Sequence, residues 1–178
     1  MGLAACAAFA VGERSWDIWG GLLWVLSAFL DRADGELARI SGLASKWGQV
    51  YDTACDAVLE PLFFIAIGIG LRDSFLGSWS IVMGVVAGLS VVVITYLILA
   101  TEQQTDSGEK VFPRIGPFDI DDVYYLLGPV AWFNALLPLL IGASIGAPIF
   151  AAITGASIWW RFKRENPKVI NSAEFTNK

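Results

Sequence analysis

Long apolar runs alternate with short polar breaks along this chain, and the runs are the length of membrane-crossing helices. Residues 1–12, MGLAACAAFAVG, are apolar but would extend only about 18 Å as a helix, against a hydrocarbon core of roughly 30 Å. They are expected to be the tail of a first transmembrane helix that is incomplete here. After a break at Glu13 to Asp17, the run from Ile18 to Leu30 continues into a polar stretch, which predicts a second helix leaving the bilayer near Arg39. Ser41 to Trp47, with Gly42, reads as a short turn. The pattern then predicts a third helix over Gly48 to Leu71, a fourth over Leu76 to Ala100, a fifth over Asp122 to Ile141 and a sixth over Ala147 to Trp160. The fold class is therefore all-α: an integral membrane bundle over residues 1–164, followed by a polar tail over 165–178.

Composition agrees. Of 178 residues, 56% are hydrophobic and only 16% charged, with a mean hydropathy of +0.60, too apolar for an ordinary soluble domain. No block of lysine or arginine suggests nucleic-acid binding. If the loops alternate across the bilayer, one side holds Arg32, Arg39, Lys46, Lys110, Arg114, Arg161, Lys163, Arg164, Lys168 and Lys178, and the other only Arg14 and Arg72. The positive-inside rule then places the polar stretch after Leu30, the loop from Thr101 to Asp121 and the tail in the cytoplasm, and a bacterial inner membrane is the expected location. Gly84 with Gly88, and Gly142 with Gly146, stand four apart, a spacing that permits close helix packing. There is no long internal repeat of the kind that builds inverted-repeat transporters.

The polar stretch LDRADGELARISGLASKWGQVYDTACD holds Asp31, Asp34, Asp52 and Asp56. On helices, residues three or four apart share a face, so each pair can clasp one site. A short turn between two antiparallel helices would bring the pairs together. Four aspartates deep in a bilayer would cost on the order of 10 kcal/mol if uncompensated. The bland alternative is a hydrated group of helix-end charges paired with Arg32, Arg39 and Lys46. The chain has no histidine, and its two cysteines, Cys6 and Cys55, lie among small apolar residues, so any divalent ion must take oxygen ligands, as magnesium, manganese and calcium do. Gly35 and Gly48 would let a bulky ligand approach the backbone, and Arg39 suits a phosphate oxygen. Together these features suggest a diphosphate substrate.

The stretch resembles, without a gap, the pattern D-x-x-D-G-x-x-A-R-x(8)-G-x(3)-D-x(3)-D of the CDP-alcohol phosphotransferase family, with Asp31, Asp34, Gly35, Ala38, Arg39, Gly48, Asp52 and Asp56 in register. The resemblance implies a six-helix bundle whose site opens to the cytoplasm. It implies that Asp31, Asp34, Asp52 and Asp56 hold two magnesium or manganese ions. It further implies that Asp34, Gly35, Ala38, Arg39 and Gly48 bind the CDP moiety, and that Asp56 acts as the base for an acceptor alcohol whose attack releases CMP. The implied partners are a CDP-alcohol donor such as CDP-diacylglycerol, an acceptor alcohol and the lipid bilayer, with a homodimer compatible with the likeness and no nucleic acid involved.

The acceptor side is open. Many family members that use a phosphorylated acceptor place a basic residue directly after the fourth aspartate, where this chain has Ala57. Lys110 and Arg114 are alternative phosphate ligands or ordinary loop charges. Glu60, one turn beyond Asp56, is either functional or a buried hydrogen-bonded acid. Asp119, Asp121 and Asp122 either cap the fifth helix or hold an acceptor near the metals, with Tyr124 and Tyr125 at the same entrance. Two rival classes, a carboxylate-lined transporter and a noncatalytic membrane subunit, accommodate the same aspartates.

Overall fold

The computed structural model describes residues 1–43, 45–102 and 123–165. Among these are six α-helices and no strand: α1 (Gly2–Val11), α2 (Arg14–Ile40), α3 (Lys46–Gly70), α4 (Trp79–Glu102), α5 (Val123–Trp132) and α6 (Leu136–Glu165), with a 3-10 turn over Leu71–Asp73. The all-α bundle expected from the pattern is what forms. Among the described residues three stretches are long and apolar enough to cross a membrane: Val50–Asp73, Trp79–Ala100 and Leu136–Trp160. Most of their surface is exposed, including Val82, Val86, Leu89 and Val93 on α4 and Ile149 and Ile153 on α6. Water would not tolerate so large an apolar surface, whereas lipid does. This is an integral membrane protein.

Several boundaries differ from expectation, each for a local reason. α2 begins at Arg14, so Asp17 lies in its first turn, where a negative charge suits the helix dipole. α3 begins at Lys46 because Ser45 caps it: the Gly48 amide donates to Ser45 Oγ at 3.0 Å. The largest difference is at the fifth helix, expected to run to Ile141. α5 ends at Trp132, and Asn134 adopts a left-handed φ of 59°. The Asn134 amide donates to the Ala131 carbonyl at 3.1 Å and the Ala135 amide to the Val130 carbonyl at 2.9 Å, the paired bonds of a Schellman stop. The expected gap at residues 142–146 is instead the interior of α6.

Two stripes of α2 organise the bundle. Gly20, Trp24 and Ser27 face α1 and α3, while Ile18, Gly21, Val25 and Ala28 face α5. The short turn after α2 does not make α2 and α3 closely packed neighbours, as the sequence suggested. α1 lies against both, with Phe9 seated on Gly20 and Gly2 beside Leu59 and Ser27. Phe9, Trp24 and Phe63 form the centre of the core. Phe63 meets Phe9 edge-on at 5.4 Å between centroids, and Trp24 at 4.3 Å, geometries that add to the value of burying the rings.

The end of the bundle away from the α2–α3 turn is tied by the two arginines that the charge tally set apart. Arg14 donates to the Ala131 and Trp132 carbonyls at the end of α5. Arg72 donates to the Ala10 carbonyl of α1 at 3.1 Å and the Ile69 carbonyl of α3 at 3.0 Å. A cation on helix C-terminal carbonyls satisfies acceptors that the helix itself leaves unpaired.

The two glycine pairs separate cleanly. A Cβ at Gly84 would sit 3.2 Å from the Gly68 Cα and 2.5 Å from the Phe64 carbonyl oxygen of α3, and Gly88 is pressed against Pro61. Ser80, fully buried beside this crossing, donates to the Gly68 carbonyl at 2.8 Å. Gly142 and Gly146 face open space, so they are not a packing pair within the described bundle. Gly84→Ala is accordingly expected to destabilise the protein by about 1 to 3 kcal/mol through overpacking. Gly142→Ala should leave stability unchanged or raise it by up to about 1 kcal/mol through helix propensity. Thermal unfolding of the two variants in detergent checks the contrast.

Candidate metal centre

α2 and α3 bring three of the four aspartates together. One carboxylate oxygen from each of Asp31, Asp52 and Asp56 lies within 4.8 Å of the others, and all three side chains are exposed. Asp31 continues the stripe of Trp24 and Ser27, and Asp56 lies seven residues before Phe63 on α3. A seven-residue step returns to nearly the same helix face, so the buried Trp24–Phe63 contact also sets the facing of Asp31 and Asp56. α1 reaches only to the level of Ser27 and Leu59. Above it, Asp31 of α2 meets Asp52 and Asp56 of α3, and Asp31 and Asp52 share a side-chain hydrogen bond.

Three carboxylates at this distance repel one another unless a proton or a cation lies between them. Magnesium takes oxygen ligands at about 2.0–2.1 Å, so oxygens on opposite sides of one ion stand about 4 Å apart, and calcium accepts about 5 Å. A small rotation of exposed side chains closes the trio on a single ion. An all-oxygen donor set, with no histidine anywhere in the chain, fits hard divalent cations.

Asp34 stands one turn beyond Asp31, also exposed, and its oxygens are not part of the converging trio. Gly35 has nothing within 4 Å of where a Cβ would stand, so the backbone there is open to a ligand. Ala38 and Arg39 occupy the last turn of α2, which stops at Gly42 with a left-handed φ of 69°. The Gly42 amide donates to the Arg39 carbonyl at 3.3 Å and the Leu43 amide to the Ala38 carbonyl at 3.0 Å, a second Schellman stop. Arg39 pairs with Glu36 at 2.8 Å, both side chains mostly exposed. Such a surface pair is worth about 0–1 kcal/mol and is readily exchanged for another anion.

Glu60 is half-buried and engaged in an interaction of its own, four residues beyond Asp56. Lys110, Arg114, Asp119, Asp121 and Asp122 lie outside the described residues. Tyr125 lies in the first described turn of α5, and its hydroxyl donates to the Ala28 carbonyl at 3.2 Å, one turn before Asp31. Sequence spacing did not reveal that contact, nor Glu36 as the partner of Arg39. The Ser45 cap beneath Gly48 carried a readable signal, a serine directly before a helix.

The profile of the CDP-alcohol phosphatidyltransferase family matches residues 1–160. The chain belongs to that family. A curated relative, the phosphatidylinositol phosphate synthase of Mycobacteroides abscessus, is 34% identical over 65 residues, a stretch that covers 36% of this chain and 28% of the relative. As a CDP-alcohol phosphatidyltransferase family member, the chain matches with its first helix included, the segment that holds α2 and α3 apart below the aspartates.

The geometry separates the aspartates by contribution. Asp31→Asn is expected to weaken Mn2+ binding at least tenfold, and Asp34→Asn by clearly less, because only Asp31 belongs to the converging trio. Isothermal titration of the purified variants in detergent measures both.

Proposed function

We propose that the protein transfers a substituted phosphate group from CDP-diacylglycerol to the hydroxyl of an acceptor alcohol, releasing CMP, as a step of phospholipid synthesis. The observation that carries this reading is the convergence of Asp31, Asp52 and Asp56 from two helices, within a family motif that holds every position in register.

Asp31, Asp34, Asp52 and Asp56 are assigned to one or two magnesium or manganese ions, which when bound supply charge neutralisation at the diphosphate. The open backbone at Gly35 and the short Ala38 side chain let the nucleotide lie against α2. Arg39 leaves Glu36 for a phosphate oxygen, a favourable exchange because a phosphate offers bidentate, charge-assisted bonds. Gly48 keeps the first turn of α3 low beside it. Asp56 accepts the proton of the acceptor hydroxyl, which attacks the phosphorus distal to cytidine. The bond from that phosphorus to the bridging oxygen breaks, and CMP departs with the electron pair.

A cytoplasmic site facing the charge-rich side of a bacterial inner membrane fits the distribution of basic residues. Arg14 and Arg72, the two on the opposite side, are both engaged on helix carbonyls. The acceptor is bounded by two observations that pull apart. The relative is a phosphatidylinositol phosphate synthase, which favours a phosphorylated inositol. Ala57 offers no cation after the fourth aspartate, which favours a neutral alcohol or moves phosphate binding to residues such as Lys110 and Arg114.

The test incubates purified protein with CDP-diacylglycerol, Mg2+ and, in turn, inositol phosphate, inositol, glycerol 3-phosphate and serine, and measures CMP. Release with one acceptor, abolished by EDTA and by Asp56→Asn with the fold retained, is the expected result. Absence of CMP with every acceptor would replace this reading with a soluble donor or a noncatalytic subunit, and flux in liposomes without CMP would point to transport.

A further inference from the structure

We infer that Tyr125 is a positioning residue for the turn of α2 that carries Asp31, acting through the Ala28 carbonyl. α5 packs antiparallel along α2, with Gly128 against Val25 and Gly21. Two α5 side chains donate to α2 backbone carbonyls: Trp132 Nε1 to Ile18 at 3.2 Å near one end, and the Tyr125 hydroxyl to Ala28 at 3.2 Å near the other. In a continuous helix the Ala28 carbonyl also accepts the amide of Arg32, the residue directly after Asp31. The Tyr125 hydroxyl therefore bonds to the same acceptor that closes the turn on which Asp31 sits.

This matters because the other recorded hold on the Asp31 side chain is a hydrogen bond shared with Asp52, itself a carboxylate. Its side chain is exposed, and its neighbours in the trio are two further carboxylates on α3, which repel it when charged. Below it the helix is fixed by the Trp24–Phe63 contact, and beyond it α2 runs on through exposed residues to its stop at Gly42. Tyr125 grips the turn from the α5 side while Asp31 reaches toward α3. Groups hydrogen-bonded directly to a metal ligand set its orientation, and their loss weakens metal binding without removing a ligand; Tyr125 acts at one further remove, through the Ala28 carbonyl. The inference rests on the assignment of Asp31 as a metal ligand.

The experiment titrates Mn2+ into purified wild type, Tyr125→Phe and Trp132→Phe in detergent by calorimetry. Tyr125→Phe deletes one hydroxyl and keeps the ring. Trp132→Phe removes the companion bond far from the site and serves as the control for α5 docking. Expected is a roughly three- to fivefold weaker Mn2+ affinity for Tyr125→Phe, below the roughly 10–100-fold lost when a partner bonded directly to a ligand is removed, and no change for Trp132→Phe. In the CMP assay the Mg2+ needed for half-maximal rate should rise by a similar factor for Tyr125→Phe, with KM for CDP-diacylglycerol at saturating Mg2+ unaltered. Unchanged Mn2+ affinity in Tyr125→Phe, an equal loss in both variants, or a Tyr125→Phe protein that does not stay folded would each overturn the inference. Mn2+ binding by a wild type that releases no CMP would instead overturn the proposed reaction and leave the positioning role to be decided by the titration.

Discussion

The structure depends on the distance that α1 keeps between α2 and α3. Phe9 enters the groove between them, flush against Gly20 and edge-on to Phe63, while Trp24 covers the other side of Phe63. Glycines at Gly12 and Gly70 let the ends of α1 and α3 cross where a Cβ would collide with backbone. Without α1, the two longer helices would close on one another by ordinary helix packing. With it, they stay apart along the core, and the carboxylates of Asp31, Asp52 and Asp56 converge above α1.

That arrangement sets two opposing effects against each other. Burial of Phe9, Trp24 and Phe63 favours the register that holds Asp31 opposite Asp52 and Asp56, and the carboxylates oppose it by mutual repulsion. In lipid these rings gain close van der Waals packing in place of escape from water, and exposed charges at the helix ends are screened by solvent, so packing sets the geometry. The convergence of the aspartates therefore follows from the packing of the helices below them.

The two ends of the bundle are finished by different devices. At the site end, Gly42 and Ser45 stop one helix and start the next within a few residues, which keeps Ala38, Arg39 and Gly48 close to the aspartates along the chain. At the far end, Arg14 and Arg72 satisfy carbonyls of three helices. A charge that looked like topology information in the sequence also holds helices together.

Much of the site was legible because its information is local. Spacings of three and four residues place carboxylates on one face of any helix, glycine and serine announce helix ends, and an ungapped motif needs no tertiary knowledge to be seen. Hydropathy alone likewise determined an all-α membrane protein, since only helices or closed barrels satisfy backbone groups in lipid. The α5–α6 boundary was missed because Asn134 is a weaker stop signal than the two glycines that α6 absorbs without contact. What only the tertiary structure decided is which faces meet: that α1 separates α2 from α3, that three of four aspartates converge while Asp34 stands aside, and that Tyr125 reaches Ala28. These are contacts between residues distant in sequence, chosen by how side-chain shapes fit together, and no spacing along the chain encodes that fit.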